Sequence, residues 1–264
     1  MESLLALDGL ADRALLVALC SSRFAVAFLL LPVFAPETVP ALVRNAIFIG
    51  FGLITLAVQP LPAVQGWTAG LWLQHFGREA LLGIGFGVLL GAVLWAFEAA
   101  GQIVDSKVGA TLAQVMDPLS GHQTSLSGSL LSRLAMFLFM AGGGFMVLVG
   151  TLMQSFALWP LGQADFTFRP GSVLLFEQAF ASFALLALLL AGPCLLLLYV
   201  VDLALGMVNR FAPQLNLISI SMSVKGVGAV LVWVLLFAPL VDAIEARIDD
   251  GLASLLPALR VWAP

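Results

Sequence analysis

Long apolar runs, separated by short polar breaks rich in proline and glycine, organise this chain. They predict six long hydrophobic helices, at about 14–34, 41–58, 79–98, 130–156, 174–208 and 226–241. A helix rising about 1.5 Å per residue needs roughly 20 residues to cross a hydrocarbon core of about 30 Å, the scale of these runs. A short amphipathic lead-in precedes the first run, with Leu4, Leu7 and Leu10 on one side. Pro32, Pro36 and Pro40 mark the first turn, and Pro60, Pro62 and Gly66 the next loop, beside Trp67 and Trp72, which read as interfacial aromatics. Gly83, Gly87 and Gly91 recur every four residues and let another helix backbone approach closely. Gly142, Gly143 and Gly144 are unfavourable inside a helix and predict close packing or a kink. The fifth run is too long for one straight crossing, and Pro193 is expected to kink or split it.

Two polar breaks interrupt this pattern, at about 99–129 and 209–225. Non-helical backbone at membrane depth is tolerated where it is buried in protein or lines an aqueous lumen, so such breaks point to a re-entrant, gate-like element. The tail places Ile244, Ile248, Leu252, Leu255, Leu259 and Trp262 three and four residues apart, with Glu245, Asp249 and Asp250 outside that stripe. This is an amphipathic C-terminal helix whose acidic face suits a protein partner better than anionic lipid.

Composition settles the class. The 264 residues would allow one or two soluble domains, but 61% are hydrophobic and 10% charged, and mean hydropathy is +1.09. The expectation is an all-α membrane protein forming one domain over 1–264, with some helices broken or kinked. No strand alternation supports a barrel. A net charge of −4 offers no basic surface for nucleic acid. Cys20 and Cys194 both lie in apolar runs and read as buried free thiols, without disulfide or metal. The acidic N-terminus (Glu2, Asp8, Asp12) lacks the basic start of a cleaved signal, so the first run reads as a retained helix. The eleven Lys and Arg residues are spread over all loops and give no orientation.

Chemistry-bearing positions are few. Arg23 lies deep in the first run and needs either a lumen or partner facing it, or an ion pair within the chain; both readings stand. Glu98, Asp105, Lys107 and Arg133 form either an internal salt-bridge network beneath a loop, the favoured reading, or a proton relay. Asp202 is the one carboxylate inside a clean apolar run. Leu112, Val115 and Met116 precede Asp117 and Pro118; they read as core of a re-entrant turn or as an apolar pore stopper, and spacing alone favours core. Ser125, Ser127 and Ser129 read as loop and helix-cap residues, because no nucleophile elbow surrounds them. Metalloprotease, phosphate-loop and dinucleotide motifs are missing, so no enzymatic activity and no cofactor are expected.

Two stretches carry a resemblance. Arg78-Glu79 with Gly83, Gly85 and Gly87, followed by Glu98, Gly101, Gln102, Asp105, Asp117 and Pro118, resembles the export-gate subunits of type III secretion, called FliR in flagella and SctT in injectisomes. Asn209-Arg210-Phe211-Ala212-Pro213-Gln214, with Ser221, Met222 and Lys225 after it, is similar to that family's signature before its last apolar run. Arg23, Pro32, Pro40 and Arg44 fit the N-terminal spacing, and Ser120-Gly121-His122-Gln123-Thr124-Ser125 favours the SctT branch. The resemblance spans roughly 14–241, and departs where the family has a proline shortly before Lys225.

The resemblance implies a non-enzymatic gate subunit in the bacterial inner membrane, within the secretion basal body. It would join SctR/FliP-like and SctS/FliQ-like subunits, with an SctU/FlhB-like switch protein at the base, around a path for unfolded secreted proteins. It maps the family's plug onto 108–127, making Leu112, Val115, Met116, Asp117 and Pro118 gate candidates. Arg23, Arg44, Glu98, Asp105, Lys107, Arg133, Asn209, Arg210, Pro213, Gln214 and Lys225 become assembly or lumen candidates. The alternative is a secondary transporter or channel for a small solute, against which the dissimilar breaks around Asp117 and Pro213 weigh, since a transporter should repeat them.

Overall fold

The computed structural model describes residues 2–36, 38–59, 62, 64, 66–109, 125–162, 171–211 and 217–262. Among these, eight α-helices and no strand are found. They are α1 (Glu2–Leu29), α2 (Ala41–Val58), α3 (Ala69–Val108), α4 (Leu126–Ala141), α5 (Gly144–Leu158), α6 (Gly171–Phe211), α7 (Leu217–Leu235) and α8 (Phe237–Trp262). By length and composition α2, α3 and residues 173–211 of α6 can each cross a membrane; counting α4 with α5 and α7 with α8 as broken spans raises the number to five. α1 falls outside this set because Asp12, Arg13 and Arg23 crowd its apolar half.

The polar breaks are narrower than the sequence suggests. α3 runs on through Val108 and α4 begins at Leu126, so Glu98, Asp105 and Lys107 are helical. Likewise α7 starts at Leu217, which makes Ser219 to Lys225 part of a helix. Small hydroxyls at 219, 221 and 223 are neutral enough in a helix to yield to its apolar neighbours. Pro193 does not split α6, which is one helix of 41 residues with the proline on its exposed side. The three-glycine expectation holds: the chain breaks at Gly142 and Gly143, and Gly143 takes φ +77°, a left-handed conformation that glycine adopts readily. α7 and α8 meet at a 65° bend. Pro239 explains it, since its ring would strike the carbonyl of Leu235 in a continuous helix.

Contacts divide the chain into two compact units. Residues 1–92, 143–179 and 250–264 form one, and 93–142 with 180–249 form the other. In the first unit α1 packs on α2. Gly52 admits the backbone of Ser21, and Gly83 and Gly87 admit α1: a Cβ at 83 would stand 2.8 Å from the Arg23 carbonyl oxygen. Phe24, Phe28, Phe34, Phe48, Phe51 and Phe145 fill the space between with ring centroids 4.9–6.3 Å apart, the range of favourable aromatic pairs. Cys20 is a buried free thiol here.

In the second unit α3 and α4 cross at Gly101 and Gly128, where a side chain on either would meet the other's backbone. Cys194, a second buried free thiol, lies with Ala191 and Leu198 along the buried side of α6. Leu240, Ile244 and Ile248 of α8 are buried while Glu245 and Asp249 are exposed. That stretch of the tail's apolar stripe is thus covered by the chain itself, with the acidic side left exposed.

Candidate functional site

The segment carrying the gate candidates Leu112, Val115, Met116, Asp117 and Pro118 lies outside the described residues, but both of its ends are described. α3 ends at Val108, and Gly109 follows with φ +96°, its N–H donating to the carbonyls of Asp105 and Ser106 at 3.2 Å. This left-handed exit is how a glycine stops a helix. At the far end Ser125 caps α4, accepting the N–H of Gly128 at 2.8 Å, as its reading as a cap residue requires.

Asp105 joins the two ends. Its Oδ2 accepts the Ser125 hydroxyl at 2.6 Å and the Ser127 N–H at 2.9 Å, and its Oδ1 accepts the Ser127 hydroxyl at 2.5 Å. A carboxylate at a helix N-terminus answers both the free N–H groups and the positive end of the helix dipole. Beside it, Gln102 donates to Glu98 at 3.1 Å, and the Ser132 hydroxyl approaches Glu98 at 3.5 Å. Asp105 therefore ties the end of α3 to the start of α4.

A second cluster holds the end of α3 on its other side. Lys107 Nζ lies 2.7 Å from one oxygen of Asp202 on α6, and Lys225 Nζ of α7 lies 2.8 Å from the other. Lys225 also donates to the Lys107 carbonyl at 3.4 Å, and Lys107 Nζ sits 4.2 Å above the Tyr199 ring. Glu98, Asp105, Lys107 and Arg133 thus do not form one network, a correction with a simple cause. Lys107 is about 200° further round α3 than Asp105, so it faces α6 and α7 while Glu98, Gln102 and Asp105 face α4. Arg133 is exposed on α4, without an ion pair among the described residues.

The first unit contains a different polar centre. Arg23 is fully buried; its Nε donates to Glu79 at 2.6 Å, one terminal nitrogen to the Ser155 hydroxyl at 2.7 Å, and the other to the Trp159 carbonyl at 3.2 Å. Its guanidinium lies 3.7 Å over the Phe156 ring. Arg78 donates to the Pro160 carbonyl at 3.0 Å. Of the two readings of Arg23, the geometry is that of the ion pair within the chain. Arg44 donates to the Phe34 carbonyl at 3.2 Å and so ties the turn after α1 to α2. Asn209 and Arg210 are exposed at the end of α6, while Pro213 and Gln214 lie outside the described residues.

Sequence reasoning did not select Glu79 or Ser155, and set Asp202 apart without a partner. The signal for Glu79 was present: a buried arginine requires a buried carboxylate, and Glu79 opens the glycine-striped run that packs on α1.

Known proteins resemble the chain over nearly its whole length. Residues 14–251 match the family described as bacterial export proteins, family 1. Yop proteins translocation protein T of Yersinia pestis is 31% identical over 245 residues, covering 90% of this chain and 93% of that one. Surface presentation of antigens protein SpaR of Salmonella typhimurium is 33% identical over 243 residues, covering 90% and 89%. Flagellar biosynthetic protein FliR of Escherichia coli is 28% identical over 236 residues, covering 86% and 87%. The chain belongs to the bacterial export proteins, family 1, the SctT/FliR group that its motifs resemble.

Proposed function

We propose that this chain is a structural and gating subunit of a type III protein-export apparatus, forming part of the portal through which unfolded proteins leave the cytoplasm. The observation that carries the reading is the family match over residues 14–251, together with relatives whose names denote translocation and flagellar assembly. The all-α membrane architecture supports it. Leu112, Val115 and Met116 on that segment act as the apolar stopper, keeping the path dry until a substrate arrives; a hydrophobic constriction blocks ions by excluding water. The apparatus sits in the bacterial inner membrane. SctR/FliP-like and SctS/FliQ-like subunits complete the wall, and an SctU/FlhB-like protein adjoins it. Broad apolar faces support such neighbours: Leu188, Leu196, Tyr199, Leu203 and Met207 of α6 are all more than half exposed.

The test is conductance of the assembled complex. With Val115→Gly and Met116→Gly together, ions are expected to leak through planar bilayers holding the complex. Unchanged conductance in a fully assembled complex would remove the stopper role. Recovery of the chain as a self-sufficient monomer, with no sister subunits, would remove the apparatus itself.

A further inference from the structure

We infer that a pocket between α4 and the bend joining α7 to α8 holds an acyl chain of an anionic phospholipid, with the lipid phosphate paired to Arg133. This site needs only the chain's place in a membrane and stands apart from the export reading.

The 65° bend between α7 and α8 opens the pocket. Trp233 before the bend, and Phe237 and Leu240 after it, converge on Leu130, Leu131 and Arg133 of α4. The cavity volume is about 350 Å³, within the span of about 300–1,000 Å³ typical of small-ligand sites. Leu131, Trp233 and Leu240 are buried and form the floor, whereas Leu130 and Phe237 are more than half exposed at the rim. A slot of this shape suits one flexible chain, whereas a stable protein neighbour needs a broad face of about 800 Å².

The charge on the rim selects the head group. Arg133 is exposed in the second turn of α4, and α4 with α5 is apolar enough to cross a membrane as a broken span. A cation on such a surface is unfavourable unless it is paired or reaches the interface. Among the described residues Arg133 has no ion pair. The other polar residue of the lining, Ser127, already gives its hydroxyl to Asp105. No acidic side chain among the described residues lines the pocket. Asp242, the acidic residue nearest to Leu240 along α8, is about 200° round that helix from it. A phosphate therefore meets a guanidinium, which can bind it through two parallel N–H groups. The ammonium of a zwitterionic lipid meets no partner.

Phosphatidylglycerol and phosphatidylcholine carrying the same photoreactive acyl chain test this, in nanodiscs holding the complex extracted from the membrane. Crosslinks to residues 127–134 and 233–240, read by mass spectrometry, are expected to be about fivefold stronger for phosphatidylglycerol, the factor one arginine contributes at an anionic surface. Arg133→Gln is expected to abolish that preference and Arg133→Lys to keep most of it. Leu130→Trp fills the slot from its exposed rim and keeps the cation; label on 233–240 is expected to fall for both lipids. Equal labelling by the two lipids in the parent, or a preference that survives Arg133→Gln, overturns the inference. So does an absence of label on 233–240 from either lipid, the result expected if a neighbouring subunit fills the slot. Label on 233–240 that is unchanged in Leu130→Trp overturns it too, because the lipid would then be held at the surface by charge alone.

Discussion

One helix carries two ionic centres of opposite character. Near the start of α3, Glu79 meets Arg23 where both side chains are at most 2% exposed and each nitrogen of the Arg23 guanidinium is directed at a named acceptor. At its end, Lys107 meets Asp202 with close to a third of each side chain exposed. The first centre is surrounded by aromatic rings and close-packed glycines. The second lies where α3 ends, between that helix, α6 and α7. In low dielectric a pair is worth much once formed and very unfavourable to halve; in a wetter setting the same pair is cheap to break and re-form. The contrast makes the Arg23 centre the more costly of the two to break.

The largest expected effect follows from halving the buried pair. Glu79→Leu leaves the Arg23 guanidinium buried with Ser155 and a carbonyl but no counterion, a loss of about 3–5 kcal/mol. The yield of assembled complex after detergent extraction should collapse. Replacing both partners, Arg23→Met with Glu79→Leu, should recover most of it, since an apolar pair of similar volume is often as stable as a buried ion pair. If the double variant is as poor as the single one, the pair does more than hold helices together.

A smaller effect is expected where α3 touches α1. Gly83→Val places a Cβ 2.8 Å from the Arg23 carbonyl oxygen and 2.9 Å from the Val26 side chain. The helices must part, at about 1–3 kcal/mol for overpacking. The melting temperature of the complex should fall, by less than for Glu79→Leu. Gly77→Ala is the comparison, because open space surrounds that position and no fall is expected.

These two centres also show how far the chain is legible as sequence. The depth of Arg23 in an apolar run announces that it needs a partner, yet Glu79 stands 56 residues away and only packing brings them together. The glycine stripe of α3 was readable because small residues at four-residue spacing have a direct steric meaning, and α1 fills it. The full length of α3 was not readable. Its first ten residues include Gln74, His75 and Arg78, which look like a loop until packing places His75 against the Trp67 ring and Arg78 against the Pro160 carbonyl. Hydroxyl-rich stretches misled in the same way at α7, where local polarity hides a helix stabilised by its apolar neighbours. Lys107 and Asp105 are two residues apart and were grouped by proximity, whereas helical phase sends them to different neighbours. The stopper candidates rest on family resemblance, since spacing alone left them as core.

The smallest expected effect sharpens the comparison most, because it separates the centres by salt. Lys225→Gln removes one of the two cations on Asp202 and leaves the Lys107 pair intact. Half-exposed pairs are worth about 0.2–1 kcal/mol, so the variant should melt within a few degrees of the parent. The screening length falls from about 8 Å at 0.15 M salt to about 3 Å at 1 M. The deficit of Lys225→Gln should therefore shrink towards zero at 1 M salt, because the parent's own pair is weakened to the same degree. The deficit of Glu79→Leu should persist, since ions do not reach that centre. Melting curves of the two variants and the parent at both salt concentrations measure this directly. A Lys225→Gln deficit as large and as salt-insensitive as that of Glu79→Leu would mean that the Asp202 centre is as sealed from ions as the Arg23 centre, and the contrast between them would fall.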